Sequence, residues 1–95
     1  MEFVQTIGFT TKDIDTVRKT FEGADRSQMV GNPRSILLRD RDNPDRYLSV
    51  VTFDSYDDAM KNNDLPQTQE FAAKMNEAIG GEPEWGNYDL IFRDE

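Results

Sequence analysis

From Glu2 to Phe9 apolar residues fall on alternate positions, with Phe3, Ile7 and Phe9 on one side and Val4, Thr6 and Gly8 on the other. A period of two predicts a first strand. The period then changes: Ile14, Val17 and Phe21 recur at spacings of three and four, which gives a helix a single apolar stripe. Thr10, three residues before Asp13, predicts a capping-box start for that helix, and Gly23 predicts its stop. Glu22 to Pro33 follows neither period and carries Gly31-Asn32-Pro33, so it reads as a loop with Met29 and Val30 as apolar anchors. Ser35 to Arg39, centred on Ile36-Leu37-Leu38, and Tyr47 to Phe53 read as two strands of a hairpin. The connection runs from Asp40 to Arg46, and its Asn43-Pro44-Asp45 suits a type I turn.

Past Phe53, Ser55 with Asp58 three residues on caps a short helix carrying Tyr56, Ala59 and Met60. Asn62-Asn63-Asp64 interrupts it. Asp64 with Gln67 re-caps a longer helix, in which Pro66 is tolerated in the first turn and Phe71, Met75, Ala78 and Ile79 form the buried stripe. Glu70 and Lys74 make a supporting pair on its exposed side, Gly80-Gly81 ends it, and Trp85 to Phe92 is the last strand. The order is β-α-β-β-α-β with the second helical region in two pieces. That is a ferredoxin-like α+β fold, one domain over residues 1–95, with helices on one face of a four-stranded antiparallel sheet.

The other face is apolar as well. Leu48 and Val50 point one way from their strand and Tyr47, Val51 and Phe53 the other, while Tyr88, Leu90 and Phe92 oppose Trp85 and Ile91 on the last. A sheet with one solvated face should alternate cleanly between apolar and polar. A second protomer is therefore expected to cover the free face, and a chain of 95 residues gains from such a partner, because it buries only roughly 60 to 70% of its unfolded surface by itself.

Composition narrows the chemistry more than any motif does. The chain has no cysteine and no histidine, which removes disulfides, thiolate nucleophiles, the commonest general base and the commonest transition-metal ligand. With 19 acidic and 11 basic residues its net charge is -8, which argues against nucleic acid and anionic membranes as partners. No apolar run of about 18 residues and no signal-peptide pattern is present, so the expected location is the cytoplasm. Asp40, Asp42 and Asp45 begin like a calcium loop, but Pro44 stands where a ligand should be, and the turn glycine and distal glutamate are missing. Alternating with Arg39, Arg41 and Arg46, they read as a charged hairpin. Asp54, Asp57 and Asp58 suit the positive end of a helix dipole, and no metal site is expected.

Tyr47 to Ala73 resembles the dimeric α+β barrel superfamily, in particular proteins with an antibiotic biosynthesis monooxygenase (ABM) type of domain. The residues that carry the likeness are the apolar strand ending at Phe53, the Ser55-Tyr56-Asp57-Asp58-Ala59 cap, a polar break, and a helix led by Leu65-Pro66 and Phe71. The resemblance implies a dimer whose two sheets close a barrel, with a small, aromatic ligand held between sheet and second helical region. It also implies cofactor-independent oxygenase activity on polyketides or quinols, or else haem chemistry. Many such proteins carry a histidine in the broken helix, where this chain has Lys61-Asn62-Asn63-Asp64, and without an imidazole haem is disfavoured. No cofactor is expected.

A cofactor-free site needs apolar walls and a polar group to orient or deprotonate a phenol. Asn62, Asn63, Trp85, Tyr47 and Arg39 are the candidate polar and aromatic contacts, and Phe71 and Met75 the candidate walls. Each has a plainer reading. The asparagines also suit a helix end, Trp85 suits a core or interface anchor, and Phe71 and Met75 suit core packing. A non-catalytic homodimeric binding module, its pocket filled by those side chains, is the alternative function.

Overall fold

The computed structural model describes residues 1–94. Seven elements follow in order: β1 (Phe3–Thr10), α1 (Ile14–Glu22), β2 (Arg34–Arg39), β3 (Arg46–Phe53), α2 (Tyr56–Asn63), α3 (Pro66–Ala78) and β4 (Gly80–Asp89). The strands form one antiparallel sheet in the order β2-β3-β1-β4, the α+β ferredoxin-like arrangement expected, with the second helical layer split into α2 and α3.

Register assigns the faces. Phe3 pairs with Phe53, Ile7 with Ser49 and Phe9 with Tyr47, and directly opposed residues point to the same side. These line the helix side, where Phe9, Val17, Tyr47 and Met75 form one buried cluster and Phe3, Phe53 and Ala59 a second. Phe9 stacks on Tyr47 with centroids 5.8 Å apart, and the Phe3 ring meets Tyr56 edge-on at 5.1 Å. The opposite side presents Val4, Ile36, Leu38, Leu48, Val50 and Tyr88. Of these, Ile36 and Tyr88 are each 58% exposed. Gly86 is what lets the Tyr88 ring lie down on this face, because a Cβ there would come within 2.7 Å of the ring and 2.5 Å of Thr6 Oγ1. Across the same face Arg46 reaches Glu84 at 2.7 Å.

Several boundaries differ from those the pattern predicts, most of all at α1, α3 and β4. Asp13, rather than Thr10, caps α1, accepting from Thr16 N–H at 3.2 Å and Thr16 Oγ1 at 2.6 Å. Thr10 is still strand, and its hydroxyl donates to Gly80 O. Asp64 does not cap α3 but closes α2. Pro66 opens α3, and the residue before a proline is driven to extended backbone, so Leu65 takes the cap position with no side-chain bond. β4 begins at Gly80 rather than Trp85 and ends at Asp89 rather than Phe92, because its partner β1 has run out. Leu90 N–H still bonds to Glu2 O, and beyond that β1 offers no strand. Pro83 is accommodated because β4 is an edge strand. The Ser55 cap stands as expected, accepting from Asp58 N–H at 3.1 Å. So do the Gly23 stop and the Glu70–Lys74 pair.

Candidate functional site

Between the helix side of the sheet and the start of α3 lies an apolar cleft. Val51 and Phe53 form its floor, Phe21 and Phe71 one wall, and Met29 and Pro33 the other. Phe21 and Phe71 meet edge to face at 5.2 Å. Few polar groups reach it. Ser35 and Thr68 bring hydroxyls, Gln67 an amide, and Asp25 and Arg26 stand on the rim. Thr68 Oγ1 is buried without a hydrogen-bond partner. Arg26 Nη2 donates to Ser35 Oγ at 3.3 Å. Asp25 accepts from Ser27 N–H at 3.0 Å and Ser27 Oγ at 2.7 Å, and these bonds hold its carboxyl below the usual range.

The cleft, open to solvent on one side, has a volume of ≈ 90 Å³. A cavity of roughly 150 Å³ takes up benzene, so a ring enters only if a wall gives. Met29, with its three flexible bonds, is the wall best able to yield. Past Ala24, Asp25, Gln67 and Phe71 the cleft continues into a wider, more polar groove of ≈ 380 Å³ between α1 and α3, bordered by Lys19, Glu70 and Lys74.

The loop from Gly23 to Pro33 shapes the mouth, and it is pinned from below. Asn62, only 2% exposed, accepts from Val30 N–H at 2.9 Å through Oδ1 and donates to Val30 O at 2.8 Å through Nδ2. One amide thus satisfies both main-chain groups of a loop residue, as a neighbouring strand would. Gly31 follows with φ +83°, a left-handed conformation open to glycine, and a Cβ there would lie 2.6 Å from Asp58 Cβ. Its carbonyl accepts from Asp54 N–H at 2.8 Å.

The seven residues singled out from sequence are dispersed. Phe71 lines the cleft. Met75 lies below it in the core, and Asn62 acts on the loop, while Asn63 is exposed and makes a weak contact to Met60 sulfur at 3.8 Å. Arg39 and Tyr47 come together elsewhere, in a groove at the hairpin end of β2 and β3, with the guanidinium 5.5 Å above the Tyr47 ring. Trp85 pairs with Ile7 and so points to the helix side, but on the outer strand it is 58% exposed. Sequence reading missed Arg26, Ser35 and Thr68. Periodicity carries no mark of them, because they meet only when loop, strand and helix converge. The turn acids are likewise local: Asp40 Oδ1 accepts from Asp42 and Asn43 N–H. Among the described residues no group of three or more acidic side chains is placed to hold a metal ion, and no helix is long and apolar enough to cross a membrane.

Compared with solved structures, the chain matches a presumed antibiotic biosynthesis monooxygenase from Chloroflexus aurantiacus with a TM-score of 0.78 at 15% identity, over 100% of this chain and 98% of that one. It has the fold of the ABM proteins. A second presumed antibiotic biosynthesis monooxygenase, from Caulobacter crescentus, superposes with a TM-score of 0.79 at 13% identity, covering 96% of this chain and 91% of that chain. SnoaB from Streptomyces nogalater, a cofactor-independent oxygenase, does so with a TM-score of 0.76 at 18% identity, covering 97% and 95%. No family model matches the sequence, and no curated protein matches it. The ABM likeness thus lies in the fold, where the spacing of strand, Ser55 cap and Pro66 helix placed it.

Proposed function

We propose that this chain binds a small aromatic molecule in the cleft between the sheet and α3, and acts on it as a cofactor-independent monooxygenase. The observation that carries the reading is the cleft itself: aromatic and aliphatic walls with a few polar atoms converging on them, the usual composition of a small-molecule site. The ABM-like fold, which SnoaB shares, supports the reaction class. Residues 1–95 work as one domain in this reading. Two copies pair through the apolar open face of the sheet, and the absence of cysteine suits a reducing cytoplasm.

Oxygen uptake with a panel of anthrones and quinols tests the activity. Turnover is expected with at least one of them, lowered about tenfold or more by Phe71→Ala, which removes a wall of the cleft, and unchanged by Trp85→Phe. Uptake equal to the protein-free rate across the panel would remove the enzymatic reading. It would leave a non-catalytic binding module, which the small volume of the cleft, ≈ 90 Å³, favours.

A further inference from the structure

Acidic residues outnumber basic ones by 19 to 11 in this chain, and Arg34, Arg46 and Arg93 are all paired with carboxylates. Arg26 is not. Among the described residues no carboxylate lies within ion-pair distance of its guanidinium, and of its five N–H donors one makes a long bond, to Ser35 Oγ at 3.3 Å. Asp25, its neighbour on the same rim, is ionised and offsets part of the charge at a distance, but it forms no ion pair with Arg26, its Oδ1 accepting instead from Ser27 N–H and Ser27 Oγ. Nor does the segment swing freely. Met29 N–H bonds to Arg26 O at 3.1 Å, Asn62 holds Val30 from both sides, and Asp54 holds Gly31. The cleft is thus edged by a guanidinium that has no ion-pair partner and stands on a segment held by its main chain, and it contains a buried hydroxyl without a partner, Thr68 Oγ1.

We infer that the cleft selects aromatic molecules carrying an anionic oxygen, a phenolate or a carboxylate, and that Arg26 imposes that choice. A flat ring fills the apolar walls while its charged oxygen meets the guanidinium at the rim, a charge-assisted bond that a neutral ligand of the same shape cannot make. The net charge of -8 opposes an anion at long range, but that repulsion is screened over about 8 Å at physiological ionic strength, so the short contact decides. The inference rests on the aromatic cleft proposed above and adds its selectivity.

Equilibrium dialysis tests it with two acids, 4-nitrophenol and benzoate, each against its methyl-capped analogue, 4-nitroanisole and methyl benzoate, at a pH where both acids are ionised. Wild-type protein is expected to bind at least one anion about tenfold or more tighter than its capped analogue. Arg26→Met should bring that ratio close to one, and Arg26→Lys should keep part of it. Whichever acid shows the preference identifies the source of the charge. Arg26 is exposed, so an unchanged melting temperature is expected for both variants. Binding of the capped probes with no preference for the anions, or a preference that survives Arg26→Met, overturns the inference and leaves the aromatic cleft standing. Failure of all four probes to bind overturns both.

Discussion

Asn62 and Asn63 are adjacent and chemically identical, yet they stand in opposite environments: one buried with both ends of its amide engaged, the other exposed. Asn62→Ala strands the N–H and carbonyl of Val30 and leaves a small void. It is expected to cost about 2–4 kcal/mol in urea unfolding, whereas Asn63→Ala should stay within about 0.5 kcal/mol. Equal losses for the two would mean that the clasp contributes nothing. Ser49 gives the reverse case. Its hydroxyl is buried and has no partner, so Ser49→Ala removes a desolvated group without breaking a bond and should leave stability unchanged or raise it by about 1 kcal/mol. None of these distinctions is legible in sequence. An Asn-Asn pair signals a helix end, and it does end α2, but which amide turns inward depends on where the loop before β2 passes.

At the scale of elements the sequence speaks more clearly. Strands and helices announce themselves through period two and period 3.6: Phe3, Ile7 and Phe9 share one face as alternation has it, Tyr47 lies on the opposite face to Leu48, and Val17 lies on the apolar stripe of its helix. Boundaries are weaker, because a cap is chosen by competition. Thr10, Thr11 and Asp13 could each begin α1, and pairing with β4 engages Thr10 first. Ser55 has no such rival, and Ser55→Ala should cost about 1 kcal/mol. The Asp13 cap sets a pH dependence. The hydroxyl and N–H of Thr16 lower its pKa from 3.8, so it stabilises the fold at pH above that value and the contribution fades as pH falls through the lower, folded-state value. Asp13→Asn is therefore expected to flatten the decline of melting temperature with pH below about 4. An acid limb identical to wild type would show that the titration of Asp13 contributes nothing to the acid limb.

For the molecule as a whole, the open face of the sheet is the dominant feature. Apolar residues from three strands and the flattened Tyr88 ring form a continuous surface with charged groups at its border. Contiguous patches of this kind mark contact surfaces. Native mass spectrometry is expected to show a dimer, and Leu48→Glu, which places a charge near the middle of the face, should convert it to a monomer with unchanged far-ultraviolet circular dichroism. A wild-type monomer would refute the pairing. That both faces are apolar was legible from β3, since Leu48 and Val50 alternate with Tyr47 and Val51. The cleft was half legible. Phe71 sits on the helical stripe that predicts it, but the rim is built by a loop without periodicity.

The Asn62 clasp grips Val30 only by main-chain atoms that every residue except proline possesses in full, and it reads nothing of the side chains that the loop displays. The stretch from Asp25 to Met29 is therefore a replaceable cassette on a fixed hinge. Substitutions there can redraw the mouth of the cleft, and with it the range of molecules admitted, while the sheet and helices beneath keep the same foldability.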